Sequence, residues 1–175
     1  MRAGVMLGPT ATEFLSMRMM LLAVPALMTA LPAAAQVMNP TEYVATAGAS
    51  DLYERTSSQI VLESTANPKI RQFAQMMIAH HAKSTADVKV AAAKSRVAAP
   101  PPSLNPLQTE RVAELRAEQG PARDAAYVAQ QKASHGQALN VQKAYAAEGT
   151  APALKAAAKK IVPVVQSHIE MLKTM

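Results

Sequence analysis

The sequence has no cysteine and no tryptophan, and only 4 tyrosines and 2 phenylalanines in 175 residues. The missing cysteine rules out disulfides and thiolate metal sites, so packing alone must hold the fold. The scarcity of aromatics removes the stacking platforms on which unpaired bases sit. Net charge is +6, yet the basic residues are scattered among acids and alanines, with no Lys/Arg run of the kind that forms a nucleic-acid arm. Nucleic acid is therefore not expected as a partner, and the charge reads as a solvated basic surface. There is no nucleophile–base motif, phosphate loop or cofactor fingerprint, so nothing in the sequence indicates an enzyme.

Alanine is abundant, and Leu, Met, Gln, Glu, Lys and Arg fill much of the rest. These are helix formers, while strand formers are sparse, which predicts an all-α fold. The stretch "MRMMLLAVPALMTALPAAAQ", Met17 to Gln36, reads as an export signal. Arg18 supplies the positive end, Leu21 to Leu31 is an apolar run too short to span a bilayer, and Ala33-Ala34-Ala35 offers the small residues a signal peptidase needs. Residues 1–35 are thus a predicted signal peptide, cleaved after Ala35. Met17 is the expected true start, with residues 1–16 an over-extended one; a long positive region is the alternative. Residues 36–175 form the predicted helical domain. No further segment reaches transmembrane length.

Punctuation divides that domain. "ANPK" sets Asn67 as an N-cap with Pro68 in the first turn; "APPPSLNP" is a loop; Gly120-Pro121 reads as a C-cap glycine and a first-turn proline; "EGTAP" makes Thr150 a cap. Helices are predicted over about Pro40–Thr65, Pro68–Ala98, Leu107–Gln119, Pro121–Glu148 and Ala151–Lys173. Two tight connections force two antiparallel hairpins, and their stacking predicts a four-helix up-down bundle with a short extra helix in the crossover.

Spacings of three and four give each long helix an inward seam: Tyr43, Ala47, Ser50, Glu54, Ser57, Val61; Ile70, Phe73, Met77, His81 or His80, Ser84, Val88; Asp124, Val128, Gln131, His135, Ala138, Gln142, Tyr145; and Leu154, Ala158, Ile161, Val165, His168, Leu172. Each seam carries an ionisable residue near its middle. Glu54 and His81 lie roughly 20 Å from the Asn67 turn, and His135 and His168 roughly 22 to 27 Å from the Thr150 turn, at 1.5 Å per residue. Hairpins stacked in register would gather all four in one layer.

The stretches "NPKIRQFAQMMIAHHAKS", "RDAAYV" before "SHGQA", and "IVPVVQSHIEML" resemble, in order, three signatures of a bacterial exported family, the domain of unknown function 4142. The resemblance covers about Thr41 to Met175. It implies a ferritin-like fold, export to the periplasm, an outer-membrane label, an association with envelope stress and no settled activity. Its recurring positions fall on Glu54, His81, Asp124, Tyr127, His135, Pro163 and His168. The family usually has Asp where this chain has His80, and more apolar residues at Arg55, Thr56 and Ser57.

Glu54, His81, His135 and His168 are the candidate metal ligands, with His80 and Asp124 as further candidates. Imidazoles with one carboxylate suit a divalent transition metal, Zn, Cu, Ni or Fe. The Glu-x-x-His pairs of di-iron carboxylate proteins are absent: Ile78 and Val165 stand three residues before His81 and His168, which excludes ferroxidase chemistry. The alternatives are a small-ligand pocket, an enzyme using the His/Glu layer as acid and base, and a metal-free layer in which Glu54 accepts from His81 or His135, in a structural module that docks an envelope protein. Asp124 lies in the first turn of its helix, where a carboxylate meets the positive dipole end. Tyr127 reads as a core residue. Pro163 kinks its helix, either to wrap the core or to widen the bundle beside the histidines. Met76, Met77 and Met171 would suit Cu(I), or simply fill the core.

Overall fold

The computed structural model describes residues 38–175; the predicted signal peptide lies outside them. Five helices follow in order: α1 (Pro40–Leu62), α2 (Pro68–Lys94), α3 (Pro106–Ala117), α4 (Gly120–Glu148) and α5 (Pro152–Leu172). Among the described residues there is no strand, and no helix is long and apolar enough to cross a membrane.

Every helix has a proline in its first turn, where the missing N–H is no loss. The side chains of Asn39, Asn67 and Asn105 accept from backbone amides there, and Glu42 and Gln108 complete reciprocal capping boxes. Two predicted caps fail. Ala151, not Thr150, occupies the N-cap of α5, and its start has no side-chain cap. Gly120 does not close α3, whose C-cap is the extended Glu118; it opens α4 with φ +53°. α2 stops four residues short of the predicted Ala98. Arg96 takes φ 55°, and the amides of Val97 and Arg96 bond to the carbonyls of Ala92 and Ala93. That double bond closes a helix firmly, even without glycine.

The hairpins α1–α2 and α4–α5 pack with α1 on α4 and α2 on α5. Tyr43, near the start of α1, donates to Gln142, near the end of α4, at 2.7 Å; Ser58, near the end of α1, meets Tyr127, near the start of α4, at 2.8 Å. α1 and α4 are therefore antiparallel, and the four long helices run up, down, down, up. The crossover bearing α3 returns along the bundle against α1 and α4.

The apolar core is two clusters. One, around Phe73, Met77, Leu115, Tyr127 and Leu172, lies at the α1–α2 turn. The other, around Tyr43, Val88, Ala92, Tyr145 and Leu154, lies at the α4–α5 turn. Between them run Asp51, Glu54, His81, His135 and His168, all buried. Met77 is spent on the first cluster and Met171 is exposed.

At the α4–α5 turn the Tyr145 ring stacks on Tyr43, centroids 3.8 Å apart. A Cβ on Gly149 would stand 2.6 Å from Cε1 of that ring and from the Tyr145 carbonyl oxygen. Replacing Gly149 with alanine is expected to cost about 1–3 kcal/mol by overpacking. Urea unfolding measures it, and an unchanged midpoint would show that the turn yields freely.

Candidate metal centre

Three of the predicted residues converge. Each of His81, His135 and His168 offers a nitrogen, and these nitrogens lie within 4.8 Å of one another. α2, α4 and α5 each supply one, because the hairpins stack with their polar layers level. Phe73 stands edge-on to His168 at 6.3 Å and closes one side.

Two of the rings are held in a set orientation. His135 Nδ1 donates to the Gln131 carbonyl one turn back, at 2.9 Å. His81 Nδ1 donates to the Asp51 carboxylate at 2.7 Å, and Asp51 also accepts from the Thr85 hydroxyl at 3.0 Å. With Nδ1 carrying the proton, Nε2 of each ring keeps its lone pair. His81 Nε2 is buried and has no hydrogen-bond partner among the described residues.

His168 completes a chain. His135 Nε2 accepts from His168 Nδ1 at 3.3 Å, and His168 Nε2 accepts from His80 Nδ1 at 2.9 Å. The His80 and His168 rings also stack, 17° from parallel at 5.2 Å. His80 is exposed, so the chain runs from solvent to the Gln131 carbonyl.

The other candidates stand apart. Glu54 is 1% exposed, and its Oε1 lies 3.9 Å from His135 Nδ1, the nitrogen already committed to Gln131. It does not join the three-nitrogen cluster. Asp124 accepts from the Thr65 hydroxyl at 2.9 Å, tying the start of α4 to the α1–α2 turn. Pro163 sits within α5, exposed.

Sequence reasoning missed Asp51. The seam passed through Ser50, and the carboxylate one position on fell outside a stripe two residues wide. Asp51 and Glu54 are one turn apart and share a face; the broader apolar stripe normal in globular helices would have taken in both.

Burial pushes the His168 imidazole down to about 3, helped by its neighbours His135, His81 and His80. Burial also lowers His135, against the pull of Glu54. Both rings are therefore neutral near pH 7. The unfolded chain binds their protons near pH 6.5 and the native chain only at lower pH, so stability is full above about 6.5 and falls as pH drops toward 3. Metal-free protein should unfold at less urea at pH 5 than at pH 7.5, and His168→Asn should flatten that dependence. A midpoint that rises on acidification would contradict the burial of neutral rings.

A cavity of about 610 Å³ opens from this layer between α2 and α5. Asp51, His81 and His168 line its inner end, His80 lies on its wall, and no methionine among the described residues lines it.

No curated protein matches the sequence. The fold is similar to the crystal structure of a DUF305 protein from Streptomyces coelicolor, described as secreted, with TM-score 0.61 at 14% identity over 77% of this chain and 88% of that one. The likeness is one of fold. The family model described as a domain of unknown function, DUF4142, matches residues 26–175. The chain, with its buried histidine cluster inside the matched region, belongs to the DUF4142 family.

Proposed function

We propose that this protein binds one divalent transition metal in the cell envelope, through Nε2 of His81, Nε2 of His135 and Nδ1 of His168. The observation that carries this reading is the pair of imidazoles whose Nδ1 protons are committed to Asp51 and Gln131, leaving their Nε2 atoms beside one space. Metal-bound histidines are ordinarily oriented this way, by a carboxylate or carbonyl on the far nitrogen. An all-imidazole set suits Zn, Cu, Ni or Fe and not Mg or Ca, which take oxygen. The lowered His135 and His168 spare the metal from competing with protons at those two rings.

The residues' own work is clear. Asp51 and Gln131 orient two rings, Thr85 orients Asp51, and Phe73 limits water. His168 must pass the proton on Nδ1 to Nε2 to become a ligand. Nε2 would then donate to His80, whose Nδ1 accepts in the other neutral tautomer. Tetrahedral zinc bonds of about 2.0–2.1 Å would require nitrogens about 3.4 Å apart; His135 Nε2 and His168 Nδ1 already stand 3.3 Å apart, so any remaining approach would fall to His81. Glu54 contributes negative charge beside the centre. The signal-like segment ahead of residue 36 supports the envelope as the place.

One observation favours a second reading, a structural polar layer. The relay from His80 through His168 and His135 to the Gln131 carbonyl is complete without any ion. Metal content separates the two. Protein purified without chelator should hold or take up one equivalent of Zn, Cu, Ni or Fe(II), with a higher melting temperature, and His135→Ala should not. Uptake of none of the four would leave the structural reading.

A further inference from the structure

The cavity between α2 and α5 extends well beyond the histidines. Its walls are mostly small or apolar: Ala91, Ala153, Ala157, Ile161, Val164 and Val165 among them. Alanine on facing helices leaves a channel where larger side chains would have filled it. Val90 and Val164 are 56% and 41% exposed at its lips. Its volume lies in the range of pockets that hold small organic molecules, roughly 300–1,000 Å³.

The two ends of the channel differ. Lys83 pairs with Asp87 at 2.6 Å, one helical turn away, and is neutralised. Lys94 and Lys160 also line the channel, and neither makes an ion pair among the described residues. α2 and α5 are antiparallel, so both lysines lie toward the α4–α5 end, away from the histidines. Lys160 is eight residues from His168 and Lys94 thirteen from His81, roughly 12 and 20 Å along the axes. At the inner end stands His81, 7% exposed, with its Nε2 closed off from the channel.

We infer that this channel binds an elongated amphipathic anion: an acidic group at Lys94 and Lys160 and an apolar chain along the alanine wall. Charge complementarity selects the anion, since Asp87, the acid at the mouth among the described lining residues, is already paired. The span of roughly 12 Å from the nearer lysine to the histidine layer matches a chain of about ten carbons. The inference stands apart from the metal, because it uses none of the nitrogens proposed as ligands.

The test is calorimetric titration of EDTA-stripped full-length protein with two probes: decanoate and decyltrimethylammonium. One molecule of decanoate should bind per chain, with no binding of the cation. The exposed reversals Lys94→Glu with Lys160→Glu should weaken decanoate at least tenfold, and Ala157→Leu should obstruct it. Circular dichroism confirms that each variant is folded. Vesicles containing phosphatidylglycerol form a separate arm. No saturable binding of decanoate, equal binding of the cation, or no response to the lysine reversals would overturn the inference. So would binding seen on vesicles alone, which would assign the lysines to a lipid surface. Since no metal is present, failure here leaves the metal reading standing, and failure of the metal titration leaves this one standing.

Discussion

Replacing His135 with alanine is expected to lower transition-metal affinity more than 100-fold. The magnitude follows from comparison within the site. Removing an outer partner that only orients a ligand costs about 10–100-fold. Asp51→Asn is such a change, since the amide oxygen still accepts from His81 Nδ1 but the charge is gone. His135→Ala removes a ligand itself and should exceed it. The order His135→Ala worse than Asp51→Asn worse than wild type, read by competition with a chromophoric chelator, is the expected result. Equal affinities would place the metal elsewhere. Metal-free His135→Ala should also lose about 1–3 kcal/mol, because His168 Nδ1 loses its acceptor in a buried place. That stability loss alone, without a change in affinity, is what a purely structural layer would give.

Replacing Arg123 with methionine should have the largest effect on folding, about 2–4 kcal/mol. Arg123 is 5% exposed at the start of α4. Its Nε donates to the Glu118 carbonyl at 2.7 Å and its Nη1 to the Ile60 carbonyl at 2.8 Å, with Glu63 at 3.1 Å. It therefore ties the Ile60 carbonyl of α1 to the Glu118 carbonyl that ends α3, and fixes where the crossover enters α4. Methionine keeps much of the stem but removes the guanidinium from both, leaving Ile60 only the Glu63 amide. Glu63 is largely exposed, so the ion pair itself adds little. Arg123→Lys should recover only part, since an ammonium cannot reach two separated carbonyls as a planar fork does. A loss below about 1 kcal/mol in urea unfolding would show that water replaces the guanidinium.

The helices were largely legible in the sequence because their ends are marked by local chemistry: Asn67 before Pro68, and Gly149 at the last turn; the Asn105 cap before Pro106 reads as loop, with its helix predicted from Leu107. Where an end depends on other parts of the chain, sequence reasoning went astray. Thr65 reads as the last residue of a helix, but its hydroxyl serves Asp124 and the Asn67 amide, and α1 ends at Leu62. Arg96 closes α2 in a conformation uncommon for a side-chain-bearing residue. The reversed direction of α4 depends on the path of the crossover, which no local pattern encodes. The histidine layer was legible because helical periodicity puts His135, His168 and one of His80 and His81 on inward seams, and the family resemblance favours His81. The roles within it were not. Glu54 looks like a ligand by depth, yet it faces a nitrogen that is already committed. Asp51 looks peripheral, yet it orients His81. Both depend on side-chain direction across the bundle, which spacing along one helix does not specify. Tyr127, taken as core, is core, with its hydroxyl tied to Ser58.

Cobalt(II) titration of the metal-free protein tests the central claim most directly, because cobalt reports the number and geometry of nitrogen ligands in its visible spectrum. With no cysteine in the chain, no sulfur charge-transfer band can confuse the reading. The account predicts saturation at one cobalt per chain, with the strong visible bands of low coordination, displaced by zinc and absent in His81→Ala, His135→Ala and His168→Ala. Weak bands that fail to saturate, or an unchanged titration in the three alanine variants, would contradict it.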